Sequence, residues 1–141
     1  MDTGRDPGSL TGWTGIVAAL YGRRAAAFAG PSAAGGGLDG VYVPGSRQLA
    51  ADRTQLRALA RAGEMLRGFA PTVEGVTHAT TSGDRAELLL TDRWAPYDIV
   101  PARADSASTL RSGSGRPSTS VRLTLQRTAA GWRIADAERL S

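Results

Sequence analysis

Apolar residues recur at helical spacing over the first part of the chain and alternate with polar ones over the rest. From Ser9 to about Ala29, the residues Leu10, Trp13, Ile16, Val17, Leu20, Tyr21 and Phe28 fall on one stripe. Ser9 suits the N-cap, and Gly30-Pro31 stops the helix. Gly12, Gly15 and Gly22 each weaken such a helix by about 1 kcal/mol relative to Ala, so it depends on its packed face. Residues 32–37 read as a flexible loop, and 38–43 as a short helical turn ended by Pro44-Gly45-Ser46. A second helix is expected over 47–62, with Leu49, Leu56, Leu59 and Ala60 inward and Gly63 as its C-terminal stop.

After Gly63 the period falls to two. Strands are expected over 65–69 and 73–80, separated by Pro71. The clearest runs over 85–94, with Ala86, Leu88, Leu90, Asp92 and Trp94 on one face and Arg85, Glu87, Thr91 and Arg93 on the other. Ser82-Gly83-Asp84 supplies the turn before it. Residues 97–100 continue as a strand after Pro96. Residues 104–118, rich in Ser, Gly and Arg, read as a mobile connection that the fold can spare. Residues 120–128 alternate with Val121, Leu123 and Leu125 inward, and a turn at 129–131 leads to a last strand with Trp132 and Ile134 inward. Helices first and an antiparallel meander afterwards make an α+β domain, its helices covering one face of a curved sheet.

The length of 141 residues suits one domain, expected over 9–141 behind a flexible tail of residues 1–8. Composition narrows the chemistry. There is no Cys, Lys or Asn, and one His. Thiol catalysis, disulfides, lysine Schiff bases, a Walker-type phosphate loop and zinc sites rich in Cys or His are excluded together. No cofactor or metal is expected. All 17 basic residues are Arg against 13 acids, a formal charge of +4. The charge is spread evenly: eight Arg and five acids in residues 1–70, nine and eight in 71–141. No dense basic block forms, so solvated surface is expected rather than nucleic-acid binding. No stretch reaches the roughly 20 apolar residues that cross a bilayer, and the polar N-terminus lacks a signal peptide's apolar run. A soluble domain follows, monomeric or weakly dimeric. It is cytoplasmic as given, or extracytoplasmic if cut from behind a membrane anchor.

The run Arg23-Arg24-Ala25-Ala26-Ala27-Phe28 within 13–28, the turn Val41-Tyr42-Val43-Pro44-Gly45-Ser46 and the ending Gly131-Trp132-Arg133-Ile134 resemble the nuclear transport factor 2-like (SnoaL-like) superfamily. They are most similar to an actinobacterial subgroup of unassigned function, often found behind a membrane anchor. The resemblance spans Trp13 to Glu138. It implies a cone of curved antiparallel sheet closed by N-terminal helices, a fold that hosts isomerases, dehydratases, cyclases, epoxide hydrolases and many non-enzymes.

Gly35-Gly36-Gly37-Leu38-Asp39-Gly40 satisfies the dinucleotide fingerprint formally, but a helix precedes it where a strand is required. Arg24 falls between Trp13, Val17 and Phe28 on the apolar face of its helix, where a guanidinium needs a carboxylate. Asp92 shares the inward phase of Leu88 and Leu90, so an Arg24–Asp92 pair is expected, structural before it is chemical. His78, in phase with Val76 and Thr80 beyond a bulge expected near Gly75, is a candidate general base, although a lone strand His is more often merely hydrogen-bonded. Trp13, Tyr21, Tyr42, Trp94, Tyr97 and Trp132 either line an aromatic pocket or pack the core. Arg53, Arg57 and Arg61 mark a solvated helix edge.

Two functions stand. One is a non-catalytic accessory domain binding a small apolar ligand or a protein partner, its buried polar or pocket residues being Arg24, Asp92, Trp13, Tyr21 and His78. The other is a small-molecule isomerase, cyclase or hydrolase with His78 or Asp92 as base and Tyr42 or Tyr97 as donor. A carboxylate or His beside a Tyr hydroxyl in an enclosed cavity would favour the second.

Overall fold

Ser9 begins the first helix as its side chain allows: the Ser9 Oγ accepts from the Gly12 N–H at 3.0 Å, satisfying a donor that the first turn leaves open. The computed structural model describes residues 6–29, 36–102 and 109–140. Helix α1 (Leu10–Ala29) buries Trp13, Ile16, Val17, Leu20, Tyr21 and Phe28. Leu10 lies in the first turn, beyond the reach of the sheet, and stays 44% exposed. Thr14 fixes the helix to the sheet, since its hydroxyl donates to the Leu10 carbonyl and accepts from the Val76 N–H at 3.0 Å.

A 3₁₀ turn (Gly36–Gly40) follows, with the Leu38 side chain fully buried beneath it. The glycine run therefore opens a short turn between two helices, and no phosphate-binding helix follows it. Gly35 lies outside the described residues. Residues 41–43 then lie along the last strand through a parallel bridge between Tyr42 and Ile134. Helix α2 (Arg47–Ala62) has both expected caps. Ser46 Oγ accepts from the Leu49 N–H, and Gly63 turns left-handed at φ 68°, ψ 37° with its N–H on the Ala60 carbonyl. A Cβ at Gly63 would meet nothing within 4 Å, so the conformation alone resists substitution. Gly63→Ala is expected to lower stability by about 1 kcal/mol in a thermal melt, with no other structural change.

Among the described residues, seven antiparallel strands form two hydrogen-bonded groups. Strands β2 (Thr72–Ser82), β3 (Arg85–Trp94), β6 (Arg116–Thr128) and β7 (Gly131–Leu140) pair in the order β2-β3-β6-β7, and β1 (Glu64–Arg67), β4 (Tyr97–Pro101) and β5 (Arg111–Gly113) in the order β1-β4-β5. The helices precede and cover this curved sheet, an α+β cone. Strand β1 stops at Arg67, two residues before the expected end, because Gly68 adopts φ 80° and turns the chain. Phe69 then swings into the core. Its ring meets those of Phe28, Trp94 and Tyr97 edge to face, with centroids 5.0–5.8 Å apart, joining α1 to both strand groups. Among the described residues, no helix is long and apolar enough to cross a membrane.

The connection expected over 104–118 needs correction. Residues 103–108 lie outside the described residues, but Arg111–Gly113 is a strand on β4 and Arg116 opens β6. Arg111 clasps Glu64 through two nitrogens at 2.8–2.9 Å, and Trp94 Nε1 donates to the Ser114 carbonyl. Gly113 lies so close to Tyr97 that a Cβ would overlap its ring. The segment from 109 on packs against the core through polar contacts and small residues, which its low apolar content concealed.

Candidate functional site

Between the helices and the concave face of β3, β6 and β7 lies an open cavity of about 380 Å³. That is towards the small end of the ~300–1,000 Å³ usual for small-molecule sites. Its apolar wall includes Ala51, Pro71, Trp94, Leu123, Ile134 and Ala137. Two Arg–Asp–Tyr sets face each other across it.

The first set joins the helices. Asp52 lies three residues after Leu49 and four before Leu56, on the buried face of α2. Arg24 of α1 reaches it with Nε at 2.7 Å and Nη2 at 3.1 Å, a bidentate pair. The Tyr42 hydroxyl donates to the same carboxylate at 2.7 Å. The Arg24 guanidinium also rests over Phe28 and Phe69, 5.4 and 5.3 Å from their centroids, so its stem and face pack in the apolar stripe while its edge is paired.

The second set joins the sheet to α1. Asp92 is buried on β3 and accepts from the Tyr21 hydroxyl at 2.6 Å and from Arg116 Nη2. Arg116 stands opposite Trp94 on β6, its guanidinium 4.1 Å from that ring's centroid. Inward residues of β6 are the odd-numbered Val121, Leu123 and Leu125. Arg116 should therefore point outward. Between Thr119 and Arg116 the strand carries one residue more than its partner does between Asp92 and Trp94, a bulge in the stretch that contains Pro117. The extra residue inverts the phase and turns Arg116 in. A second bulge, at Ala135 of β7, likewise moves the inward phase from Trp132 and Ile134 to Ala137 and Arg139, both on the cavity wall.

Burial, reinforced by the charge and hydrogen bond of Asp92, pushes the Tyr21 phenol above its ordinary value. Burial and Asp52 do the same to Tyr42 against the opposing pull of Arg24. Burial alone would lower the Arg24 pKa, but the Asp52 hydrogen bond and the surrounding negative charge outweigh it and hold the cation above the usual guanidinium range. The two raised phenols stabilise the fold fully below pH ~10, where the unfolded chain also keeps its protons, and lose that contribution as pH rises further. In an alkaline titration followed by phenolate absorbance, Tyr21 and Tyr42 are expected to ionise only as the protein unfolds. Tyr21→Phe and Tyr42→Phe should each remove one phenol from that cooperative step. Smooth ionisation of Tyr21 and Tyr42 in the folded protein would contradict the burial.

The expected pairing of Arg24 with Asp92 is replaced by two separate pairs, because each has a nearer mate, Asp52 for Arg24 and Arg116 for Asp92. His78 is not in the cavity. Beyond the expected bulge after Val73, a second extra residue at Thr77 sets His78 opposite Leu89, and its side chain is exposed on the outer face. Trp13 is buried edge to face on Trp132, centroids 5.1 Å apart, in the core behind the cavity. Tyr97 packs on Phe69 and is not among the cavity's lining residues. Tyr21, Tyr42 and Trp94 do line it, together with Arg24 and Asp92. Asp52, Arg116 and Arg139 are additions. Of the arginine stripe on α2, Arg53 pairs with Asp39 at 3.0 Å, and Arg57 and Arg61 are exposed. Among the described residues, no three His, Asp or Glu gather where they could hold a metal ion.

No protein-family model matches the chain, and no curated protein sequence matches it. Among solved structures, it is similar to an NTF2-like protein with a cystatin-like fold from Novosphingobium aromaticivorans, at 20% identity over 95% of this chain and 90% of that one, with a TM-score of 0.39. It is also similar to the intermembrane space region of the chloroplast protein ARC6, at 19% identity over 94% of this chain and 97% of that one, with a TM-score of 0.65. What the chain shares with the ARC6 region, over nearly the whole length of both, is the fold.

Proposed function

We propose that this chain is a nuclear transport factor 2-like domain without catalytic activity, which binds a small, largely apolar molecule or a segment of a protein partner in the cone cavity. One observation carries the reading. Both cavity carboxylates are already engaged, Asp52 by Arg24 and Tyr42, Asp92 by Arg116 and Tyr21. A carboxylate that already accepts from a guanidinium and a phenol has little capacity left to take a substrate's proton, and a phenol that donates to that carboxylate has no free proton to offer a substrate. The ARC6 relative is itself a region of a longer protein, in keeping with an accessory role.

A second reading keeps one supporting observation: two Tyr–Asp hydrogen bonds of 2.6 and 2.7 Å face the same cavity, the arrangement expected of an isomerase, cyclase or hydrolase. Binding and turnover separate the two. Thermal melts against a panel of small apolar molecules should find stabilising ligands that the protein leaves chemically unchanged. Ala137→Phe, which fills the cavity, should abolish the stabilisation. Conversion of a bound compound, lost in Tyr21→Phe with binding retained, would establish the enzyme reading instead.

A further inference from the structure

We infer that the cavity's ligand is an amphipathic carboxylic acid, an anionic head on an apolar body. This deepens the binding reading above and rests on it. The polar capacity left over in the cavity is mainly that of donors, Arg116 Nε among them, against one unpartnered acceptor on the lining, Gln48 Oε1. Tyr21 and Tyr42 donate their hydroxyl protons to the aspartates, and the aspartates accept from arginine as well. Apart from Gln48 Oε1, what remains are donors, and they belong to cations. Arg24 uses Nε and Nη2 on Asp52, and Arg116 uses Nη2 on Asp92, so Nη1 of each has no hydrogen-bond acceptor among the described residues. Arg139, on the cavity wall and exposed, pairs with no carboxylate among the described residues. The lining thus carries three guanidinium groups against two carboxylates. A ligand head that only accepts hydrogen bonds and bears negative charge complements this excess, and a planar carboxylate suits guanidinium edges. The other requirement comes from the wall. Pro71, Trp94, Leu123, Ile134 and Ala137 offer an apolar surface that would leave a small inorganic anion largely uncovered.

The bulges make the arrangement specific. Arg116 and Arg139 both face the cavity only because an extra residue in β6 and another in β7 invert the strand phase. Two independent departures from regular pairing therefore deliver two cations to one hollow.

Decanoate and decanol, which share one apolar chain and differ in the head, provide the test by calorimetric titration. Decanoate should bind at least tenfold tighter than decanol, and the preference should shrink with added salt. Arg139→Gln, at an exposed position that the fold does not need, should weaken decanoate binding several-fold and leave decanol unchanged. Arg116→Gln should do the same, and Arg139→Gln keeps the test decisive if that variant fails to fold. Equal affinity for acid and alcohol, or an Arg139→Gln protein that keeps the full preference, overturns the carboxylate inference while leaving the binding reading intact. No binding of either compound, with Ala137→Phe indistinguishable from the parent protein across the apolar panel, overturns both.

Discussion

Asp52→Leu is expected to lower stability by about 2–4 kcal/mol, because it leaves Arg24 charged in a position where its side chain is only 23% exposed. The value sits below the range for a fully enclosed pair because water reaches the guanidinium from the cavity. Arg24→Met leaves the Asp52 carboxylate with the Tyr42 hydroxyl alone and should cost a similar amount. The double variant should recover much of either loss, a coupling of about 2 kcal/mol in urea unfolding. Arg116 and Asp92 should couple in the same way. Arg24 and Asp92, which share no hydrogen bond, should be additive within about 0.5 kcal/mol. Strong coupling between Arg24 and Asp92 would restore the simpler pairing that the sequence suggests. Additivity of Arg24 with Asp52 would remove the bidentate pair as a determinant of stability.

Trp132→Ala should be more damaging than any cavity substitution. Trp132 is fully buried, meets Trp13 edge to face at 5.1 Å, and lies beneath the Arg127 guanidinium at 4.9 Å. Its removal opens a void between α1 and β7 that the rigid sheet cannot close, at a cost of about 4 kcal/mol. Against the ~5–15 kcal/mol typical of a domain, that takes a large share of the total. The expected result is a much lower urea midpoint and weak near-ultraviolet dichroism. Trp132→Phe should lose about half as much, and a loss in Trp132→Ala below about 1.5 kcal/mol would show that the core repacks.

Most of the fold was legible because most of its elements are regular. Strand β3 has the expected bounds, and Ala86, Leu88, Leu90 and Asp92 all lie on its buried face as the alternation requires. The ends of α2 were legible for a local reason, since Ser46 and Gly63 carry the cap chemistry within their own residues. The site was harder to read. Asp52 lies on the same helical spacing that places Leu49 and Leu56 inward, but spacing alone does not separate a charged residue paired inside from one at a solvated edge. His78, Arg116 and Arg139 depend on bulges, and one extra residue reverses every later side chain on the strand. Gly75 hinted at one bulge and Pro117 at another, whereas Thr77 and Ala135 carry no such mark. Strand β5 was hidden by composition: Arg111-Ser112-Gly113 gains its place from Glu64 and the Tyr97 ring, not from apolar side chains.

The bulge between Thr119 and Arg116 makes the spacing of β6 a determinant of what the cavity contains. Deleting Ser118 would set Pro117 opposite Arg93 and restore regular pairing. Arg116, then two positions from the inward Thr119, would still stand opposite Trp94 and face the hollow, with no inward residue from Val121 onward altered. The bulge thus decides which of two neighbours faces in. Paired regularly with all its residues kept, the strand would present Pro117 to Trp94 in place of Arg116, a neutral side chain in place of a cation, on a scaffold that keeps its core. Whether the strand bulges here is therefore a choice of ligand chemistry made without substituting any pocket residue.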